Sequence, residues 1–126
     1  SEKVAEIENE NVKHYKNLGI YKLIVTHINS KGTEEYMREY LAPIFEEEDK
    51  DGDLLQTAIE YVLAKGDTIK AAERLFCHKN TIRYRIGKLQ EKVDPLTNEK
   101  EFYQNLAAAI KVYLLLNKIK KQEEEK

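Results

Sequence analysis

The chain has 126 residues, of which 35% are charged, and a formal net charge of −2. That length fits one domain, or a domain with a connector, and allows a core of modest size. A single cysteine excludes a disulfide framework and a cysteine metal cluster, and the near-neutral balance excludes a basic field over the whole molecule. The lone Cys77 suits a reducing compartment, and no signal-peptide pattern opens the chain, so a cytoplasmic location is expected.

In chain order, almost every segment reads as helix. Only Pro43 and Pro95 interrupt, and alternating apolar patterns of strand length are absent. The fold expected is therefore all-α, without winged elements. Residues 2–16 are mostly polar and open no obvious domain; Gly19 marks a break. A short apolar helix is read over Ile20–Ile28, ending at Asn29-Ser30-Lys31-Gly32. Thr33 is a good N-cap, with Glu34 and Glu35 in the first turn of a helix that carries Tyr36, Met37, Tyr40 and Leu41 toward Ile44 and Phe45. Pro43 is expected to disturb its end. An acidic connector, Glu46–Asp53, leads to a helix over Leu54–Lys65, with Asp53 as N-cap, Leu55, Ile59, Val62 and Leu63 inward and Gly66 as C-cap. The last helix is read over Glu99–Lys120, with a charged tail expected to fray.

Residues 66–93, GDTIKAAERLFCHKNTIRYRIGKLQEKV, hold a short helix, a tight turn and a longer helix stopped by Asp94-Pro95. Ala72, Leu75 and Phe76 give the first helix an inner face. Ile82, Ile86, Leu89 and Val93 recur at helical period on the second. Counting about 100° per residue from Ile82, that stripe centres near ~20°, and Asn80, Thr81, Tyr84 and Lys88 lie opposite, between roughly 160° and 260°. Arg83 flanks at about 100° and Arg85 at about 300°. Residues 67–93 carry seven basic against three acidic residues, a net of +4, whereas residues 33–53 carry a net of −7. A helix with a packed back and a face of Asn, Thr, Tyr and Lys can enter the DNA major groove, and a local basic patch steers phosphates even on an acidic protein. Lys79 and Arg83, on the first turns, are read as guanine contacts; Asn80 as the N-cap of the recognition helix; Thr81 as a contact to phosphate or a thymine methyl; and Tyr84 as a phosphate contact. Lys88 is read as a further contact on this face. Arg85 is read equally as a phosphate contact or a structural ion-pair partner.

The string LFCHKNTIRYRIGKL resembles the C-terminal DNA-binding domain of PucR/CdaR-type bacterial transcription regulators, with His78, Asn80, Thr81, Tyr84 and Arg85 in the family's order. GDLLQTAIEYVLAKGD is similar to the family's helix before the motif, and YKNLGIYKLIV to the segment that ends its upstream domain. The resemblance implies a division into 1–50, a helical connector and the end of an upstream domain; 51–120, the helix-turn-helix domain; and 121–126, a charged tail. It implies double-stranded DNA as partner, and a small-molecule effector, such as a purine breakdown product or a sugar diacid, bound by an upstream domain outside this chain. A helix-turn-helix that reads one half-site is expected to act as a homodimer on a pseudo-palindromic operator, and no cofactor is expected. The alternative is a protein-interaction or dimerisation module without direct DNA readout, in which the acidic segment matters more than the basic one.

Other signals have plainer readings. Asp49–Glu60 places Asp49, Asp51, Asp53 and Glu60 at ligand positions of an EF-hand loop, but Leu54 stands where the turning glycine is required, so no calcium site is expected. His78 reads as a turn or capping residue, since His14 and His27 are remote in sequence. Cys77 reads as a small buried side chain. Gly87, mid-helix, costs roughly 1 kcal/mol against alanine and either admits close backbone approach or reflects neutral change. Leu106–Leu116 is apolar nearly all round, is broken by Lys111 and is too short to span a bilayer; the helix either caps the core of its own domain or buries a second apolar side against a partner subunit or an upstream domain, and the dimer is the favoured reading. No nucleophile–base pair, phosphate loop or metal cluster points to an enzyme.

Overall fold

A computed structural model describes residues 31–45 and 54–124. Among these residues it is all helical: α1 (Lys31–Phe45), α2 (Leu54–Leu63), α3 (Thr68–Arg74), α4 (Lys79–Val93) and α5 (Glu99–Glu124). The helix read over Ile20–Ile28 and the cap assigned to Asp53 lie outside the described residues.

Burial divides into two clusters. The larger joins Met37, Leu41 and Ile44 of α1, Leu54, Ala58 and Val62 of α2, Leu89 of α4, and Phe102, Leu106 and Ile110 of α5. Residues expected in a connector thus share a core with the helices that follow. The smaller holds Ala64, Ala71, Ala72 and Ile82, with Leu75, Cys77 and Ile86 packed against it. Ile86 also touches the larger cluster, so α4 spans both. The stripe Ile82, Ile86, Leu89, Val93 is the packed side of α4, as its spacing requires.

Several boundaries differ from the sequence reading. The helix expected to start after Thr33 begins at Lys31, leaving Thr33 inside it. Pro43 does not break α1, which runs on to Phe45; a proline there only removes one ladder donor close to an end. Leu63, expected inward, is 46% exposed, while Leu54, Thr57, Ala58 and Val62 form the buried side of α2. The corner after α2 is set by two residues rather than by Gly66 alone. Lys65 takes φ 57° and Gly66 φ 83°. Their amides close the helix, Lys65 N–H to Val62 O at 3.0 Å and Gly66 N–H to Tyr61 O at 2.9 Å.

The remaining joints are capped by side chains. Asp67 accepts from the amides of Ile69 and Lys70 at 3.0 and 3.1 Å, opening α3. Asn98 accepts from Glu101 N–H at 2.8 Å and donates back to its carboxylate at 3.4 Å, a reciprocal cap on α5. The tail of charged residues continues α5 as far as Glu124.

The free apolar side expected on α5 is largely taken up within the chain. Tyr113, Leu114, Leu116 and Ile119 are partly buried against the larger core, and Phe45 of α1 meets Tyr113 with ring centroids 5.6 Å apart. One reason to expect self-association through α5 is therefore weaker, because α1 covers what local periodicity left bare.

Asp94 ties three helices together where α4 ends. Its carboxylate accepts from Tyr40 Oη at 2.7 Å and Asn105 Nδ2 at 3.0 Å. Burial pushes this carboxyl up, but the hydrogen bonds from Asn105, Tyr40 and Thr97 outweigh it and hold the group below its ordinary value of 3.8. Burial, then the bond to Asp94, raises Tyr40. A depressed carboxyl contributes stability that is fully present above the unfolded value and is lost as pH falls through the folded one. Acid melts of the chain should therefore show midpoints dropping below about pH 4, and Asp94→Asn should flatten that limb. Asp94→Ala, which leaves two donors without their acceptor, should cost about 1–2 kcal/mol at neutral pH. An unchanged urea midpoint in Asp94→Ala would refute the tie.

Candidate nucleic-acid interface

The site starts at a turn. After α3 ends at Arg74, Phe76 takes φ 55°. Its amide bonds Glu73 O at 3.3 Å, and Cys77 N–H reaches Ala72 O at 3.0 Å. This is the same closure as at Lys65–Gly66, with Cys77 turned back onto the small core. Helical spacing places Phe76 on the inner face of α3; it is instead 97% exposed. Helical periodicity stops applying once the helix ends, and the left-handed backbone sends the ring outward.

His78, not Asn80, caps α4. With φ −75° and ψ 148°, its unprotonated Nδ1 accepts from Asn80 N–H at 3.0 Å. Asn80 is the second helical residue, so its own amide side chain is released from capping and is exposed. The turn role expected of His78 is thus a specific hydrogen bond.

The outward side of α4 holds Asn80, Tyr84 and Gly87, with Lys79 and Arg83 exposed beside them. Thr81, Arg85 and Lys88 are half-buried. Arg83 lies on the rim of a cleft of about 380 Å³ that it shares with Thr68, Gly87, Gln90 and Glu99. Lys88 Nζ stands 5.7 Å from the centroid of the Tyr84 ring and 3.5 Å from the Glu91 carboxylate. Arg74 is paired with Glu60, the last acid of the calcium-like string, which sits inside α2 and also accepts from Gln56. Lys79, Arg83 and Arg85 make no ion pair with any described residue. A β-carbon built on Gly87 meets nothing within 4 Å. Neighbouring side chains therefore do not require glycine there.

The seven residues read as contacts thus lie on one helix and its N-terminal end, on its outward side and both flanks.

A seven-residue helix, a left-handed turn and a longer helix with a packed back and cationic flanks define a helix-turn-helix domain. Residues 54–112 match the PucR C-terminal helix-turn-helix domain, and this part of the chain belongs to that family. The chain is 37% identical over 93 residues to the proline-responsive transcriptional activator PutR of Bacillus subtilis, covering 71% of this chain and 23% of that protein. It is 30% identical over 87 residues to an uncharacterised protein of Haemophilus influenzae, covering 64% and 23%. The chain therefore spans less than a quarter of the length of these curated relatives. No solved structure matches it. The family is one of transcription regulators, which suggests DNA binding, and no helix among the described residues is long and apolar enough to cross a membrane.

Proposed function

We propose that α4 enters the major groove of duplex DNA and reads sequence there, in a cytoplasmic bacterial regulator without enzymatic activity. One observation carries this reading. Lys79 and Arg83 are exposed, and among the described residues neither has a carboxylate partner, on the first turns of a helix whose back is anchored by Ile82 and Leu89. Arginine or lysine in that position pairs with guanine O6 and N7, and the released Asn80 side chain suits adenine N6 and N7. Thr81, Tyr84, Arg85 and Lys88 supply phosphate or groove contacts that fix the register.

One recognition helix covers only a few base pairs. Two copies on a two-fold axis, with their α4 helices about 34 Å apart, supply the affinity an operator needs. The sensing of a small effector belongs to parts of the protein outside this chain.

Selecting bound sequences from a random DNA pool tests the reading, followed by titration of the selected duplex at several salt concentrations. The expected result is an enriched sequence, with affinity falling steeply and linearly on a log–log salt plot. A pool that stays random and an affinity indifferent to salt would instead support a protein-interaction module.

A further inference from the structure

Resting on the DNA-binding reading above, we propose that Phe76 is a further specificity residue, packing its ring on a thymine methyl at the edge of the groove that α4 enters. Phe76 is at odds with its surroundings twice over. A bulky residue at φ 55° is a backbone outlier where glycine or asparagine is the usual choice. Its ring is also 97% exposed, with the apolar surface given to water. Strained residues of this kind cluster at ligand contacts, where a partner compensates what the free protein lacks.

Lys65 makes the contrast. It takes the same backbone conformation, φ 57°, at the matching corner after α2, closed by the same pair of hydrogen bonds. A solvated lysine loses nothing in water, so that corner calls for no partner. Phenylalanine does.

The occupant follows from position. Phe76 lies two residues before the cap His78 and within five of Lys79, Asn80 and Thr81. It therefore continues the surface assigned to DNA at the end of α4 that reads bases. The one apolar group displayed in the major groove is the 5-methyl of thymine, and aromatic rings are among the side chains that contact it.

The test pairs protein and DNA changes on the full chain. Phe76→Gly and Phe76→Asn both suit a left-handed backbone and remove only an exposed ring, so each should melt at or above the parent's temperature. Against the selected duplex each should bind about three- to tenfold more weakly, the worth of one buried apolar contact. Replacing thymines by deoxyuridine, one site at a time, removes single methyls. At one position the parent should lose a similar factor, while Phe76→Gly should lose nothing further there. Parent-like affinity in both variants overturns the proposal. So does a loss that every deoxyuridine duplex leaves unchanged. A parent chain that selects no sequence overturns the underlying DNA reading as well, whereas a parent that selects and a variant that matches it overturns only the role of Phe76.

Discussion

Ile82→Ala should destabilise the chain by about 2–5 kcal/mol, seen as a lower urea midpoint by far-ultraviolet circular dichroism. The size follows from the company Ile82 keeps. Among the fully buried members of the smaller cluster only Ile82 is larger than alanine, and it has no exposed surface. Ala64, Ala71 and Ala72 cannot move in to fill the space it would vacate, because each is fixed to its own backbone. Since whole domains are stable by only about 5–15 kcal/mol, the variant approaches the unfolding threshold. A loss below about 1 kcal/mol would mean that the turn collapses freely onto α4, contrary to the packing described.

Arg83→Ala should abolish discrimination at one base pair, about 1–3 kcal/mol or five- to 150-fold, while leaving affinity for random duplex nearly intact. Lys88→Ala is the control. That ammonium already leans on Glu91 and the Tyr84 ring, so its loss should weaken all sequences alike and flatten the salt slope. Quantitative binding to the selected duplex and its single-base variants decides between them. If Arg83→Ala keeps the parent's ranking of base variants, Arg83 reaches only phosphate, and base readout passes to Lys79 and Asn80.

Much of this arrangement was legible because it is written at helical period. The stripe Ile82–Val93 names the back of α4, the +4 charge names its front, and Asp94-Pro95 names its end. The helix-turn-helix, the start of α5 at Glu99 and the all-α class follow from the same rule. What was not legible depends on where periodicity stops. Phe76 fits an amphipathic projection of α3, yet it lies beyond the last helical residue, where a positive φ reverses its side. Asn80 is the commoner capping residue, but the cap belongs to the residue at the extended backbone before the helix, and that is His78. The girth of α5 looked unsatisfied because its cover, α1, comes from more than fifty residues away. Contacts of that range leave no local signature.

The division of α4 between two cores also sets how the helix fluctuates. Leu89 is held by a cluster to which α1, α2 and α5 all contribute, so amides near it should exchange with solvent only when the whole chain unfolds. The turns around Asn80–Arg83 hang on a cluster of alanines around one isoleucine, and their amides should exchange through a cheaper excursion in which α3 and the first half of α4 open together. The half of the helix assigned to base reading is then the half that breathes. A duplex that closes on it would be registered first as slowed hydrogen exchange there, before any change at Leu89, and the free energy spent in quieting that motion is subtracted from the affinity every correct base contact supplies.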